Sequence, residues 1–172
     1  MAKIIVSVLF GSWQQANCTV NHPIEWDVLK LEGNKALLIS KNGLTRRRFD
    51  EYSNVWADSE IRHWLNNEFL NADFTEADKT AILETELPDV GTTDKVFLLS
   101  YKEAKMLFKD NKARRVKFGT RYYLWWWLRS PFQSYAGVVG TDGSLSYNDV
   151  RCDINVVRPA LWVNLDSDIF KS

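Results

Sequence analysis

Three helix-start signals fall between residues 58 and 103, and the first and last thirds of the chain are patterned for extended structure. Thr75-Glu76-Ala77-Asp78 and Ser100-Tyr101-Lys102-Glu103 have capping-box spacing, in which a hydroxyl and an acidic side chain satisfy each other's backbone N–H groups. Asp58 stands at the head of a segment whose Ile61, Trp64, Leu65 and Phe69 share one helical face. The first box opens a short helix through Ile82-Leu83, and the second carries Ala104, Leu107 and Phe108 inward. Lys95 to Leu99, just before it, reads as a short strand.

Residues 3–10 are apolar and β-branched, as in a buried strand. Ile24 to Leu29, the turn Glu32-Gly33-Asn34-Lys35 and Ala36 to Ile39 are punctuated as a hairpin. Near the other end, Thr141-Asp142-Gly143-Ser144 marks a tight turn between two extended runs, and Arg158 to Leu165 forms a closing apolar strand. Strands, then helices, then strands in 172 residues predict a single α+β domain over 1–172, with short irregular strands and two or three helices.

Several functions lack their residues. The first apolar run is broken by Ser7 and ends at Gly11, so a strand is a better reading than a signal peptide, and nothing approaches the roughly 20 apolar residues of a membrane span. Membrane insertion is therefore not expected. Cys18 and Cys152 read as two free thiols, and His22 and His63 lack metal-ligand spacing, so neither a metal nor another cofactor is expected. No GxSxG motif occurs, and Gly137-Val138-Val139-Gly140 has neither the lysine nor the following helix of a phosphate loop. The reading is non-enzymatic. Net charge is zero but unevenly distributed: residues 50–94 hold twelve acids and two basic residues, and 95–121 hold nine basic residues and two acids. Lys112, Arg114, Arg115, Lys117 and Arg121 are the densest basic run. One such run in a neutral chain reads as a solvated face, and no nucleic-acid partner is expected.

The stretch 122–157 does not read as plain core. Trp125, Trp126, Trp127, Leu128, Arg129, Pro131, Ala136, Val138, Gly143, Leu145, Val150 and Val156 look structural. Between them lie Tyr122, Tyr123, Phe132, Gln133, Ser134, Tyr135, Gly137, Val139, Thr141, Ser146, Tyr147, Asp149, Arg151, Asp153, Ile154 and Asn155. If Ala136, Val138, Leu145 and Val150 point inward, strand alternation turns Tyr135, Gly137, Val139, Ser144, Ser146, Asp149 and Arg151 outward. Tyrosines among small polar residues suit a recognition surface. Ordinary surface loops have the same composition, so the residues alone leave both readings open.

Four stretches carry a family resemblance: Phe10-Gly11-Ser12-Trp13-Gln14 with Pro23 to Leu29; Ile61-Arg62-His63-Trp64-Leu65-Asn66-Asn67; Thr92 to Ser100; and Trp126-Trp127-Leu128-Arg129-Ser130-Pro131 through Val157-Arg158-Pro159-Ala160-Leu161-Trp162. Together they resemble the DUF6273 type of bacterial and phage domain, related to the formylglycine-generating-enzyme branch of the C-type-lectin fold. The resemblance implies a C-type-lectin-like fold. It further implies that 120–157 is the variable region of a diversity-generating retroelement, whose adenine-directed errors scatter asparagine-type codons into the mixed set above; Asn148 and Asn155 read as unmutated positions. The implied function is binding of a protein or glycan ligand on a cell surface; an invariant carbohydrate- or protein-binding module is the alternative. Localisation stays open between phage virion, cell surface and cytoplasm. The calcium- and sugar-binding motifs of animal C-type lectins are absent, and Cys18 and Cys152 do not match the closely placed cysteines of formylglycine-generating enzymes. Neither activity carries over. On this reading the three tryptophans, with Arg129 and Arg158, form the support beneath the variable residues.

Overall fold

The computed structural model describes residues 7–15, 18–72 and 74–171. Among them the elements run β1 Ser7–Trp13, β2 His22–Glu32, β3 Lys35–Ser40, β4 Thr45–Arg46, α1 Glu60–Trp64, α2 Glu76–Ala81, β5 Thr85–Leu87, β6 Thr92–Asp94, α3 Tyr101–Leu107, α4 Asn111–Arg114, β7 Val116–Phe118, β8 Tyr122–Leu124, β9 Trp126–Phe132, β10 Tyr135–Val139, β11 Leu145–Asp149, β12 Val156–Val157 and β13 Ala160–Asn164. This is one α+β domain, with four short helices where two or three are expected. The fourth, α4, lies inside the basic run and is capped by Asp110 through the Ala113 N–H. No described helix is long and apolar enough to cross a membrane.

Two main sheets organise the chain, with strand orders β1-β2-β3-β13 and β11-β10-β9-β12-β4. The β2–β3 hairpin closes through Gly33, at φ +59°, and Asn34, as its punctuation predicts. Of the expected first strand, residues 3–6 lie outside the described residues, and β1 itself continues to Trp13. The capping boxes at Thr75 and Ser100 both form. The cap of α1 is Ser59, not Asp58: the Ser59 hydroxyl accepts from Arg62 N–H, while Asp58 ends a preceding 3₁₀ turn. Residues 95–99 are not a strand. Only Phe97 bridges, to Ala160, because this segment crosses between the sheets instead of joining one.

The sheets meet where β12 passes into β13, and Arg158 sits at that junction. Its Nε donates to Ser40 O at 2.8 Å and its Nη1 to Arg114 O at 3.3 Å, while its guanidinium lies 5.0 Å from the Trp126 ring. Burial pushes its pKa down to about 10, offset in part by Asp27, so it stays charged at neutral pH. Trp126 beside it and Trp127, the next residue of β9, are fully buried. Each indole N–H finds a carbonyl, that of Arg114 at 3.0 Å and that of Arg47 at 2.8 Å. Arg129 is likewise buried, donating to Leu98 O and forking onto Asp89 and Glu103. Trp126, Trp127, Arg129 and Arg158 are thus buried, the two tryptophans on opposite faces of β9, whereas Trp125 is 38% exposed.

Candidate functional site

The β9–β10–β11 ladder holds the residues singled out from sequence. Tyr135 pairs with both Phe132 and Asp149, Gly137 with Tyr147, and Val139 with Leu145. Cross-strand partners share a face, so Phe132, Tyr135, Tyr147 and Asp149 lie on one side of the sheet, at one end of it. β11 is the edge strand there.

On that side the Phe132 and Tyr147 rings stack at 4.5 Å between centroids. The Tyr147 ring stacks in turn on Tyr101 at 5.3 Å and 7°. Tyr101 is the first residue of α3, and its N–H donates to the Ser130 hydroxyl at 2.9 Å. Sequence reading assigned this segment to caps and core, so Tyr101 went unnoticed. Its place in the first turn of a helix that turns Ala104 inward is the signal that it packs near a sheet. Burial in the stack, with Tyr101 adjacent, raises the Tyr147 phenol above its ordinary pKa.

The turn joining β9 to β10 is Gln133-Ser134, and Gln133 adopts φ +53°, rare for a residue with a side chain. Asn54 clamps it, donating its amide to Gln133 O at 2.8 Å and to Tyr135 O at 2.9 Å. Asn54 lies in a loop ordered by Asp50, whose carboxylate accepts from the Tyr52, Ser53 and Glu60 N–H groups. Burial opposes that charge, but the three donors outweigh it and hold the Asp50 pKa low. Tyr52 and Val55 of this loop are exposed, extending the aromatic surface past residues 132–135. Beyond β11, the Val150 carbonyl accepts from Phe49 and Asp50 N–H, which sets the exposed Arg151, Asp153 and Ile154 beside the same loop.

Asp149 accepts from the Arg151 backbone N–H at 2.9 Å, and from its guanidinium at 3.1 and 2.8 Å. These bonds, the guanidinium's first, hold its pKa down to about 2. Its folded pKa is depressed, so the contribution is present above the ordinary aspartate value and is lost as pH falls through the folded one. Following the Asp149 carboxyl by NMR is expected to give a midpoint near 2 and a clear rise in Arg151→Gln; an unchanged midpoint would show that Arg151 is not the cause.

The structure thus gathers Phe132, Gln133, Ser134, Tyr135, Tyr147, Asp149, Arg151, Asp153 and Ile154 into one surface region. Two residues expected outward are not. Gly137 and Val139 are buried because β10 is covered on both faces: Phe108 of the α3 side packs on Trp126 at 6.2 Å, and Phe49 on Trp127 at 5.7 Å. Simple alternation assumes one wet face, and past Tyr135 this strand has none. Asn155 is also buried; its backbone carbonyl accepts from Arg47 N–H and its side-chain oxygen from the Cys152 thiol, which makes it a loop support. Ser146 lies on the opposite side of β11 from Tyr147. Tyr122, Tyr123 and Thr141 sit at the far end of the ladder, a strand length or roughly 13 Å away, where Arg115 bonds Thr141 O.

Both cysteines are free thiols. Among the described residues no group of three or more His, Cys, Asp or Glu side chains could hold a metal ion.

The fold and the surface together define a single α+β domain presenting an aromatic, polar edge on the same ladder as the buried Trp126, Trp127 and Arg129. The chain belongs to the DUF6273 family of domains of unknown function, whose model matches residues 33–165. No curated protein and no solved structure matches it.

Proposed function

We propose that this domain is a non-enzymatic ligand-binding protein of C-type-lectin-like fold whose surface around Tyr147 is the diversified face of a diversity-generating retroelement's variable protein. The observation that carries this reading is the separation of two sets of residues. Trp126, Trp127, Arg129 and Arg158 are buried and bonded, while the chemically mixed residues around Phe132, Tyr135 and Tyr147 lie at the other end of the same ladder and hold few of the fold's bonds. A surface that must accept many side chains needs its backbone held from elsewhere, and here Asn54 and the buried residues of the ladder hold it. Phe132 and Tyr135, 48% and 42% exposed, supply the broad, low-entropy contact area of a recognition surface.

The partner this surface suits is a protein or glycan presented on a cell surface. Screening the domain against arrayed glycans and bacterial surface proteins is expected to yield a binder whose affinity falls about thirtyfold or more in Tyr135→Ala/Tyr147→Ala. Melting should shift little in that variant. Undiminished binding by the double variant would remove this surface from the account. A near-copy of the DNA encoding 120–157, differing mainly at adenines and lying beside a reverse transcriptase gene, would support diversification; its absence would favour an invariant binding module on the same surface.

A further inference from the structure

The residues at the far end of the ladder form a second surface of different chemistry. The β7–β8 ribbon pairs Lys117 with Tyr123 and Phe118 with Tyr122. On one face the Arg115 guanidinium lies 3.5 Å and the Lys117 ammonium 5.2 Å from the Tyr123 ring centroid; on the other, Arg46 of β4 lies 5.2 Å from that of Phe118. Arg121 is exposed at the ribbon's tip. Among the described residues none of these four cations forms an ion pair, whereas Arg48, Arg62, Arg129, Arg151 and several lysines do. The nearby acids are engaged otherwise: Asp142 accepts from the Ser144 N–H and hydroxyl, and Asp110 caps α4.

We infer that the β7–β8 ribbon binds a single-stranded nucleic acid, its cations meeting the phosphates and its open rings the bases. Stacking on Tyr123 and Phe118 holds the cationic side chains in place, which lowers the entropy lost when their N–H groups meet phosphate oxygens. Tyr122 and Trp125, 63% and 38% exposed, leave ring surface on which successive bases stack through their π-faces. The chain's net charge is zero, so attraction to a polyanion must be local to such a patch and not a property of the whole surface.

The test is fluorescence anisotropy with a labelled oligothymidine of about 12 nucleotides, competed by duplex DNA and by a sulfated polysaccharide. Binding is expected to weaken with salt at a log–log slope of about −3, the value for four neutralised phosphates on a single strand. Arg115→Gln/Lys117→Gln is expected to weaken it tenfold or more and to flatten the slope. Trp125→Ala is expected to weaken it about tenfold at unchanged melting temperature. Tyr147→Ala should leave it unaltered, which separates this ribbon from the surface of the proposed function. The inference is overturned by absence of binding, by equal competition from the sulfated polysaccharide with Trp125→Ala silent, or by loss of binding in Tyr147→Ala.

Discussion

Replacing Trp126 by alanine is expected to lower stability by about 3–5 kcal/mol, the range for emptying a large aromatic site in a packed core. The ring is fully buried, pairs across the sheet with Val139 and Val156, and is covered by Phe108. Its indole N–H also satisfies the Arg114 carbonyl, which then keeps only the longer Arg158 bond. For a domain of this size such a loss corresponds to a fall in melting temperature on the order of 10 °C. Trp126→Phe keeps most of the volume and loses the N–H, so it should fall well short of the alanine loss. Denaturant unfolding of both variants measures the two contributions. A Trp126→Ala variant as stable as the parent would mean that the buried residues of β9 do not hold the ladder.

Arg158→Ala is expected to lower stability by about 3–5 kcal/mol at neutral pH. The substitution leaves the Ser40 carbonyl without its side-chain donor and opens space beside Trp126. It also removes the cation 3.9 Å from Asp27. Burial raises the Asp27 pKa above the ordinary value, and Arg158 is the largest influence pulling it back. Without that pull the pKa rises further. A carboxyl whose folded pKa exceeds its unfolded one binds more protons when folded, so stability falls as pH rises from the ordinary aspartate value through the folded one. The Arg158→Ala deficit should therefore be smaller at pH 4 than at pH 7. Unfolding curves at the two pH values test this; equal deficits would mean that the lost hydrogen bonds and volume, and not Asp27, account for the whole effect.

What the sequence revealed depended on how local each cause is. Both capping boxes and the 33–34 and 141–144 turns were legible because their partners lie within a few residues. Ser59 was missed as a cap because the residue before it also has the right chemistry, and only the 3₁₀ turn at Trp56–Asp58 decides between them. Residues 95–99 have strand composition but no sheet edge to join, a tertiary matter. The candidate surface was legible in part. Tyr135 and Asp149 follow from alternation along β10 and β11, whereas Tyr147 is legible only by its mixed composition, since it shares a face with Leu145, and the burial of Val139 follows from α3 and Phe49 closing over both sides of β10. Tyr101, Asn54 and Tyr52 reach the surface from distant chain segments, and no pattern within 120–157 points to them.

The central claim is that side chains around Tyr147 vary without disturbing the fold because the buried residues of the ladder carry it. Two libraries test this most directly. One randomises Phe132, Gln133, Ser134, Tyr135, Tyr147, Asp149, Arg151, Asp153 and Ile154; the other randomises Trp126, Trp127, Val138 and Val139; both are scored for resistance to proteolysis across a denaturant series. The account predicts that most members of the first library fold with stability near the parent's, and that few members of the second fold at all. Collapse of the first library to the level of the second would contradict it.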